Sequence, residues 1–461
     1  MSKGITEMNH RTWKALLPGV IILVWGLVFF LPDTIVAQET RSADPSMPAL
    51  SLKDCLDKAM TDNPLLSEAK LAVAASDKSI DSARGKHLPR LSVDGNYTAR
   101  QDPIPFIPAQ SLTIFPHFAN EFATWAVAMQ LPIYQGNQVV NGVKLAEIRK
   151  SLQEDNLSLT RNEIIANTVN TYNKLLQLSK LQEASQSSVR ALTDQRKQSQ
   201  LLFDVGRIAK VDLLKVDVQL SNERQRLLSI DEAIDNLSGT LRYLMGERVS
   251  GPAQSVSLSD TLTLQEFSAD FDKSLETAKA KRPEYLIASK AVAEAGVNRD
   301  ITKGKLFPTV GAFAGYMDQY GFNPSSYSEA NWFTGVNVSI PIFDKSLYDD
   351  VARERILEDK AGKRLTAVEN QIRVDIQSAL SSMRESRNRV LTTSRAVEQA
   401  AESFRIEQEK YRSGAGAVTD LLLAEAAYIN SVANHSQALF DYNAALVAYR
   451  KVTGTLEDYL Q

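Results

Sequence analysis

Few of the ionisable and nucleophilic residues in this chain are placed for catalysis. There is one cysteine, Cys55, and there are four histidines. His10, His87, His117 and His435 never fall at metal-ligand spacing. The sequence contains no Ser/His/Asp or Cys/His constellation, no phosphate-binding loop and no His-Glu-x-x-His helix, so no cofactor or catalytic centre is expected. What does recur is a carboxylate behind a glycine turn. Asp212 follows Val205-Gly206-Arg207-Ile208, and Asp420 follows Ser413-Gly414-Ala415-Gly416. A carboxylate near a helix N-terminus is favourable by about 0.3–1 kcal/mol. For either acid taken singly, that electrostatic effect and a functional role are equally good readings. Tyr411 brings a phenol to the second turn.

These residues sit in a chain that is written twice. A shift of 219 places Pro64 on Pro283, Pro89 on Pro308 and Tyr97 on Tyr316. A shift of 209 places Leu131-Pro132-Ile133-Tyr134 on Ile340-Pro341-Ile342-Phe343. A shift of 208 places Phe203 on Tyr411, Gly206 on Gly414, Asp212-Leu213-Leu214 on Asp420-Leu421-Leu422 and Gly246 on Gly454. A period this long exceeds any solenoid repeat and indicates duplication of a whole structural unit. The boundaries read as 38–247 for the first unit, 248–272 for a linker, 273–456 for the second unit and 457–461 for a tail.

Each unit has the same expected order. A helix opens at Asn63-Pro64 or Arg282-Pro283, because proline suits the first helical turn and asparagine caps it. Two strands follow. A very long helix then covers 143–203 or 347–411, and after the glycine turn a shorter helix covers 211–245 or 418–453. In the second long helix Leu365, Val368, Ile372, Ile376, Leu380 and Met383 step by three or four along one face. Sixty residues of helix extend about 90 Å. Such a helix must pack side by side with others as a coiled coil or bundle. The helix before the strands and the helix after the turn would stack end to end along it. Any single polar stretch such as Ser179 to Ser188 reads first as a solvated face, with the lining of a water-filled duct as the functional alternative.

The strands alternate. In Ala123 to Leu131 one face carries Ala123, Trp125, Val127, Met129 and Leu131. In Trp332 to Ile340 it carries Trp332, Thr334, Val336, Val338 and Ile340. In Leu91 to Arg100 it carries Leu91, Val93, Gly95, Tyr97 and Ala99, while Thr309 to Asp318 alternates less clearly. Alternation alone favours ordinary half-buried strands of a soluble domain, but strands of about 9–11 residues also cross a bilayer when tilted, and the secretory start, the duplicated hairpins and the long helices favour that reading. Four strands cannot close a barrel, and open edges are not tolerated in lipid, so membrane-spanning strands here would have to be pooled by several copies. Three copies would supply twelve.

Composition bounds the rest. The 461 residues carry a formal charge of −3, which argues against nucleic acid as a partner. One cysteine excludes an internal disulfide framework, and Cys55 reads as a small buried residue of a helix face. Residues 1–37 run from a basic start through the apolar stretch Ala15 to Leu31 to Ile35-Val36-Ala37, the pattern of a secretory signal peptide. The stretch 102–121, with Pro103, Pro105, Pro108, Phe106, Phe115 and Phe118, joins the first two strands and would face outward.

The ordered set of these features resembles the TolC-like outer-membrane efflux proteins of Gram-negative bacteria across residues 50–456. The tandem copies, the helix starts, the two strand exits and Tyr411-Arg-Ser-Gly414 followed by Thr419-Asp420-Leu421-Leu422 carry the resemblance. It implies a mainly α fold with a small β part. Three chains would form a twelve-stranded barrel in outer-membrane lipid and a helical coiled-coil tunnel through the periplasm. The partners it implies are a periplasmic adaptor and an inner-membrane transporter. It also implies that Asp212, Asp420 and Tyr411 form the periplasmic constriction, with Tyr411 reaching Asp212. The docking tips would be Val205, Gly206, Arg207, Ile208, Ser413, Gly414, Ala415 and Gly416. The chain departs from the pattern at Gly416, where a basic residue often stands, and at Leu423, where a second acid may sit. Passive export of small molecules is the expected role. An exit duct for protein secretion and an anchored periplasmic coiled-coil structural protein are the alternatives.

Overall fold

The computed structural model describes residues 49–100, 120–248, 256–323 and 327–460. The expected signal peptide, and nearly all of the Pro/Phe-rich stretch from 102 onward, lie outside the described residues.

The first unit comprises α1 (Leu52–Asp62), α2 (Pro64–Gly85), β1 (Arg90–Ala99), β2 (Glu121–Gln135), α3 (Gln138–Asp204) and α4 (Lys210–Leu244). The second comprises α5 (Phe271–Lys281), α6 (Pro283–Gly304), β3 (Thr309–Asn323), β4 (Tyr327–Ser339), α7 (Lys345–Arg412) and α8 (Val418–Thr453). A 3-10 turn, Leu456–Leu460, ends the described chain. The short helices α1 and α5 are additions to the sequence reading. Ser51 caps α1 by accepting from the Asp54 N–H, and Asp54 reciprocates at the Ser51 N–H.

The helices α3 and α7 contain 67 and 68 residues, about 100 Å each at the helical rise. The first begins five residues and the second two residues earlier than the periodicity suggests. The start of α3 is set by Gly136 and Asn137, whose φ values of 57° and 61° turn the chain sharply out of β2. Gly136 lies against Gly304 at the end of α6, so closely that a side chain at either would strike the other's backbone.

The pairs of shorter helices do stack along the long ones. In the first unit Asn63 joins the ends: its Oδ1 accepts from the Leu65 N–H (2.9 Å), and its Nδ2 donates to the Leu244 carbonyl (2.8 Å). Gly246, at φ 81°, packs on the Asp62 carbonyl at the same joint. Gly454, at φ 73°, packs on Lys281 and Arg282 at the matching joint of the second unit. The duplication is therefore visible in the packing as well as in the spacing.

Each unit has its own apolar core. Cys55, Tyr172, Leu175, Ile230, Ile234 and Leu241 cluster in the first, and Leu275, Ile372, Ile376, Met383, Tyr442 and Leu446 in the second. Four of the six residues of the sequence-derived stripe on α7 (Ile372, Ile376, Leu380 and Met383) are buried there. Cys55 is fully buried, and burial pushes its thiol up to about 12. The segment before α5 is a strap across the first unit. Leu50 pairs with Leu258, and Asp260 Oδ2 accepts from the Leu52 N–H (2.9 Å) and the Tyr172 hydroxyl (2.8 Å).

All four strands join in one antiparallel sheet in the order β1-β2-β3-β4. The outer edges of β1 and β4 are unpaired among the described residues. Register places Leu91, Val93, Tyr97, Trp125, Met129, Tyr316, Trp332, Val336 and Val338 on one face, all of them exposed. The other face carries mainly polar or small residues: Arg90, Ser92, Asp94 and Asn96 pair with Gln130, Ala128, Ala126 and Thr124. β2 and β3 extend beyond their expected ends. β2 continues through Pro132, where a register shift toward Tyr134 accommodates the missing N–H. No helix among the described residues is long and apolar enough to cross a membrane.

Candidate functional site

The glycine turns end α3 and α7 far from the sheet. In the first, Gly206 (φ 71°) donates to the Phe203 carbonyl (2.9 Å) and Arg207 to Leu202 (2.8 Å). In the second, Gly414 (φ 77°) donates to Tyr411 (3.0 Å) and Ala415 to Lys410 (2.9 Å). These bonds satisfy the last helical carbonyls and need a left-handed residue, for which glycine has no Cβ penalty. Ala209 and Ala417 then begin α4 and α8 in extended geometry, without side-chain caps. Asp212 and Asp420 fall in the first turns, at the positive end of each helix dipole.

The two turns are laced together by side chains. Lys215 Nζ donates to Asp212 Oδ1 (3.2 Å) and also to Thr419 Oγ1 (3.0 Å), spanning the two units. Tyr411 reaches back to α3, with its hydroxyl 3.4 Å from Ser199 Oγ. The Tyr411–Asp212 contact expected from sequence is therefore replaced within the chain. Asp212 is occupied by Lys215, one turn along its own helix, and the phenol faces Ser199. Asp420 is exposed and forms no ion pair among the described residues. Val205, Gly206, Arg207, Ser413, Gly414 and Ala415 are exposed, while Ile208 and Gly416 are half-buried. Val211, Leu214 and Val218, spaced three and four apart, leave an apolar stripe exposed on α4 beside them.

Further from the turns lies a tier that the sequence reading missed. Ser185 and Ser188 of α3 donate to Glu223 of α4 and Glu425 of α8, the second bond being 2.9 Å long. Both carboxylates are buried. Burial pushes Glu425 up to about 7, and the neighbouring Glu223 adds to the shift. Glu425 was findable as a lone acid within the apolar run Leu421 to Ala427. Lys215 was findable as a partner three residues after Asp212, but its reach to Thr419 crosses 204 positions.

A sheet that is apolar outside and polar inside, standing on paired helices of about 100 Å, defines an outer-membrane channel whose duct is built from α-hairpins. The characteristic sequence pattern of the outer membrane efflux protein family matches residues 55–247 and 274–455, and the chain belongs to that family. It is 22% identical over 404 residues to nodulation protein T of Rhizobium leguminosarum bv. trifolii, covering 85% of this chain and 82% of that one. It is 19% identical over 427 residues to outer membrane protein TolC of Salmonella enteritidis, covering 89% and 83%. Its fold matches the Campylobacter jejuni CmeC outer membrane channel with a TM-score of 0.75 at 14% identity, over 92% and 94% of the two chains. The protein is an outer-membrane efflux channel, and its family is one of ducts and not of enzymes.

Proposed function

We propose that three copies of this chain pool their sheets into a twelve-stranded barrel and their helices into a periplasmic tunnel, and that this duct passively exports small molecules. The open, four-stranded sheet carries the reading. Its lipid-compatible face and two unpaired edges are stable in a bilayer only when neighbouring copies supply the missing strands. Energy and substrate choice then belong to an inner-membrane transporter, reached through a periplasmic adaptor that packs against the turns at Val205–Ile208 and Ser413–Gly416. The small residues there support close approach of a helical hairpin.

In this reading Asp212 and Asp420 repeat around the threefold axis and form the constriction, a carboxylate ring that favours cations. Lys215 ties Asp212 to the second hairpin at Thr419, so the two α-hairpins of one chain move together until that link breaks. The test is fractionation and reconstitution of the full-length protein. A heat-modifiable trimer in the outer membrane that conducts in planar bilayers supports the reading. A monomer retained in the inner membrane overturns it.

A further inference from the structure

The inner face of the sheet is not uniformly polar. Phe313 of β3 and Phe333 of β4 lie on it, each 37% exposed, with ring centroids 6.2 Å apart. Each ring lies over a glycine on the opposite strand: Phe313 over Gly335 and Phe333 over Gly315. A side chain at either glycine would collide with the ring it faces. The missing side chains let both rings lean across the sheet onto the facing glycines, tilted 48° to each other. Glycine–aromatic pairing explains how they fit. It does not explain why large apolar rings occupy the face that a barrel turns toward water.

Their surroundings supply a reason. Where the sheet meets α2 and α3 there is a cavity of about 810 Å³. Phe313 forms part of its wall, with Gln130 and Asn337 beside it. Lys86, which ends α2, and Arg90, which begins β1, stand at the same cavity. No carboxylate among the described residues lines it. Register aligns Arg90, Gln130, Phe313 and Gly335 in one row across the sheet. The first inward acid on β1, Asp94, stands four residues further along the strand, about 13 Å away. Neither Lys86 nor Arg90 forms an ion pair among the described residues, whereas Arg84, nearby on α2, is paired with Glu147. Two free cations and an aromatic wall without a competing acid complement a flat molecule that carries negative charge.

We infer that this cavity, at the junction of Lys86, Arg90 and Phe313, is a transit site for planar organic anions. The site rests on reading this face as lumenal. The guanidinium and ammonium groups would hold the anionic group, and Phe313 would offer a ring for offset stacking. Both groups are solvent-exposed, so binding is weak, as a duct requires if its cargo is to leave. Three copies would surround the base of the barrel with six cations, above a constriction that bears acids.

The test uses full-length protein in lipid nanodiscs, with naphthalene-2-sulfonate as the probe in saturation-transfer NMR. Methanesulfonate lacks the ring and 2-naphthol lacks the fixed charge. The wild type should bind naphthalene-2-sulfonate roughly tenfold more tightly than either control. The K86Q/R90Q pair should lose that margin, while Arg90→Lys should keep most of it. Phe313→Leu should weaken naphthalene-2-sulfonate and leave methanesulfonate unchanged. If the double variant does not assemble, binding to wild type should fall steeply with added salt. Equal binding of sulfonate and naphthol, or indifference to both the variants and the salt, overturns the site. Planar-bilayer recordings separate this from the duct itself. Protein that binds the sulfonate yet carries no current keeps the site and overturns the duct. Protein that conducts without binding does the reverse.

Discussion

Glu223 and Glu425 come from different helices and different units of the duplication, yet they bind serines one turn apart on the same stretch of α3. Both are buried, and the Ser188–Glu425 bond is one of the few polar links between the two units near the turns. The packed arrangement raises Glu425 to about 7, because burial and the adjacent Glu223 both disfavour its charge.

The sign of the pH dependence follows. The folded Glu425 titrates at about 7, against 4.5 for the free side chain, so the folded state binds the extra proton between those values. The contribution of Glu425 to stability is greatest below about pH 4.5 and falls as pH rises toward 7, then levels off. Glu425→Gln should flatten this part of the curve. Apparent melting temperature by circular dichroism, taken from pH 5 to 8, measures it. A slope in the variant equal to that of wild type would refute the assignment.

Lys215→Ala removes the bridge from Asp212 to Thr419. An exposed pair of this kind contributes less than about 1 kcal/mol to stability, so the melting temperature should barely move. The proposed constriction should nonetheless loosen, and single-channel conductance in planar bilayers should rise. Unchanged conductance would show that the link does not restrain the turns.

Gly206 and Gly246 separate two uses of the same residue. Both have positive φ, but nothing approaches Gly206, whereas Gly246 lies against the Asp62 carbonyl. Gly206→Ala should cost about 1 kcal/mol and still give assembled protein. Gly246→Ala adds a backbone collision and should lose more than about 3 kcal/mol, reducing the yield of assembled protein. Comparable melting temperatures for the two variants would contradict this.

The two faces of the sheet should respond oppositely to charge. Val336→Arg places a cation on the lipid face, at about 2–4 kcal/mol near the bilayer midplane. Asn96→Arg places it on the inner face and should be tolerated. The fraction of heat-modifiable trimer in outer-membrane extracts reports the difference, and equal losses would reverse the face assignment.

Much of the fold was legible because it rests on local rules. Asn63-Pro64 marks a helix start, Gly206 and Gly414 mark reversals, and the stripe from Ile372 to Met383 marks a buried face, each within a few residues of sequence. The joint at Gly246 could be aligned with Gly454 but not explained, because the clashing carbonyl belongs to Asp62, far away in the chain. The candidate site was half legible for the same reason. The position of Asp212 follows from the turn before it, while the Lys215–Thr419 bond and the Ser185–Glu223 and Ser188–Glu425 pairs exist only after three helices are laid together. Tyr411 illustrates the limit: its type suggested a partner, and packing supplied Ser199 instead.

The free margins of β1 and β4 also govern the protein's life before it reaches its membrane. A lone chain with its sheet formed carries two rows of unsatisfied amides beside a greasy surface, and any stray strand can settle there. Its safe lifetime in water is set by how soon it meets its own copies. Raising its abundance speeds correct meetings and wrong ones alike.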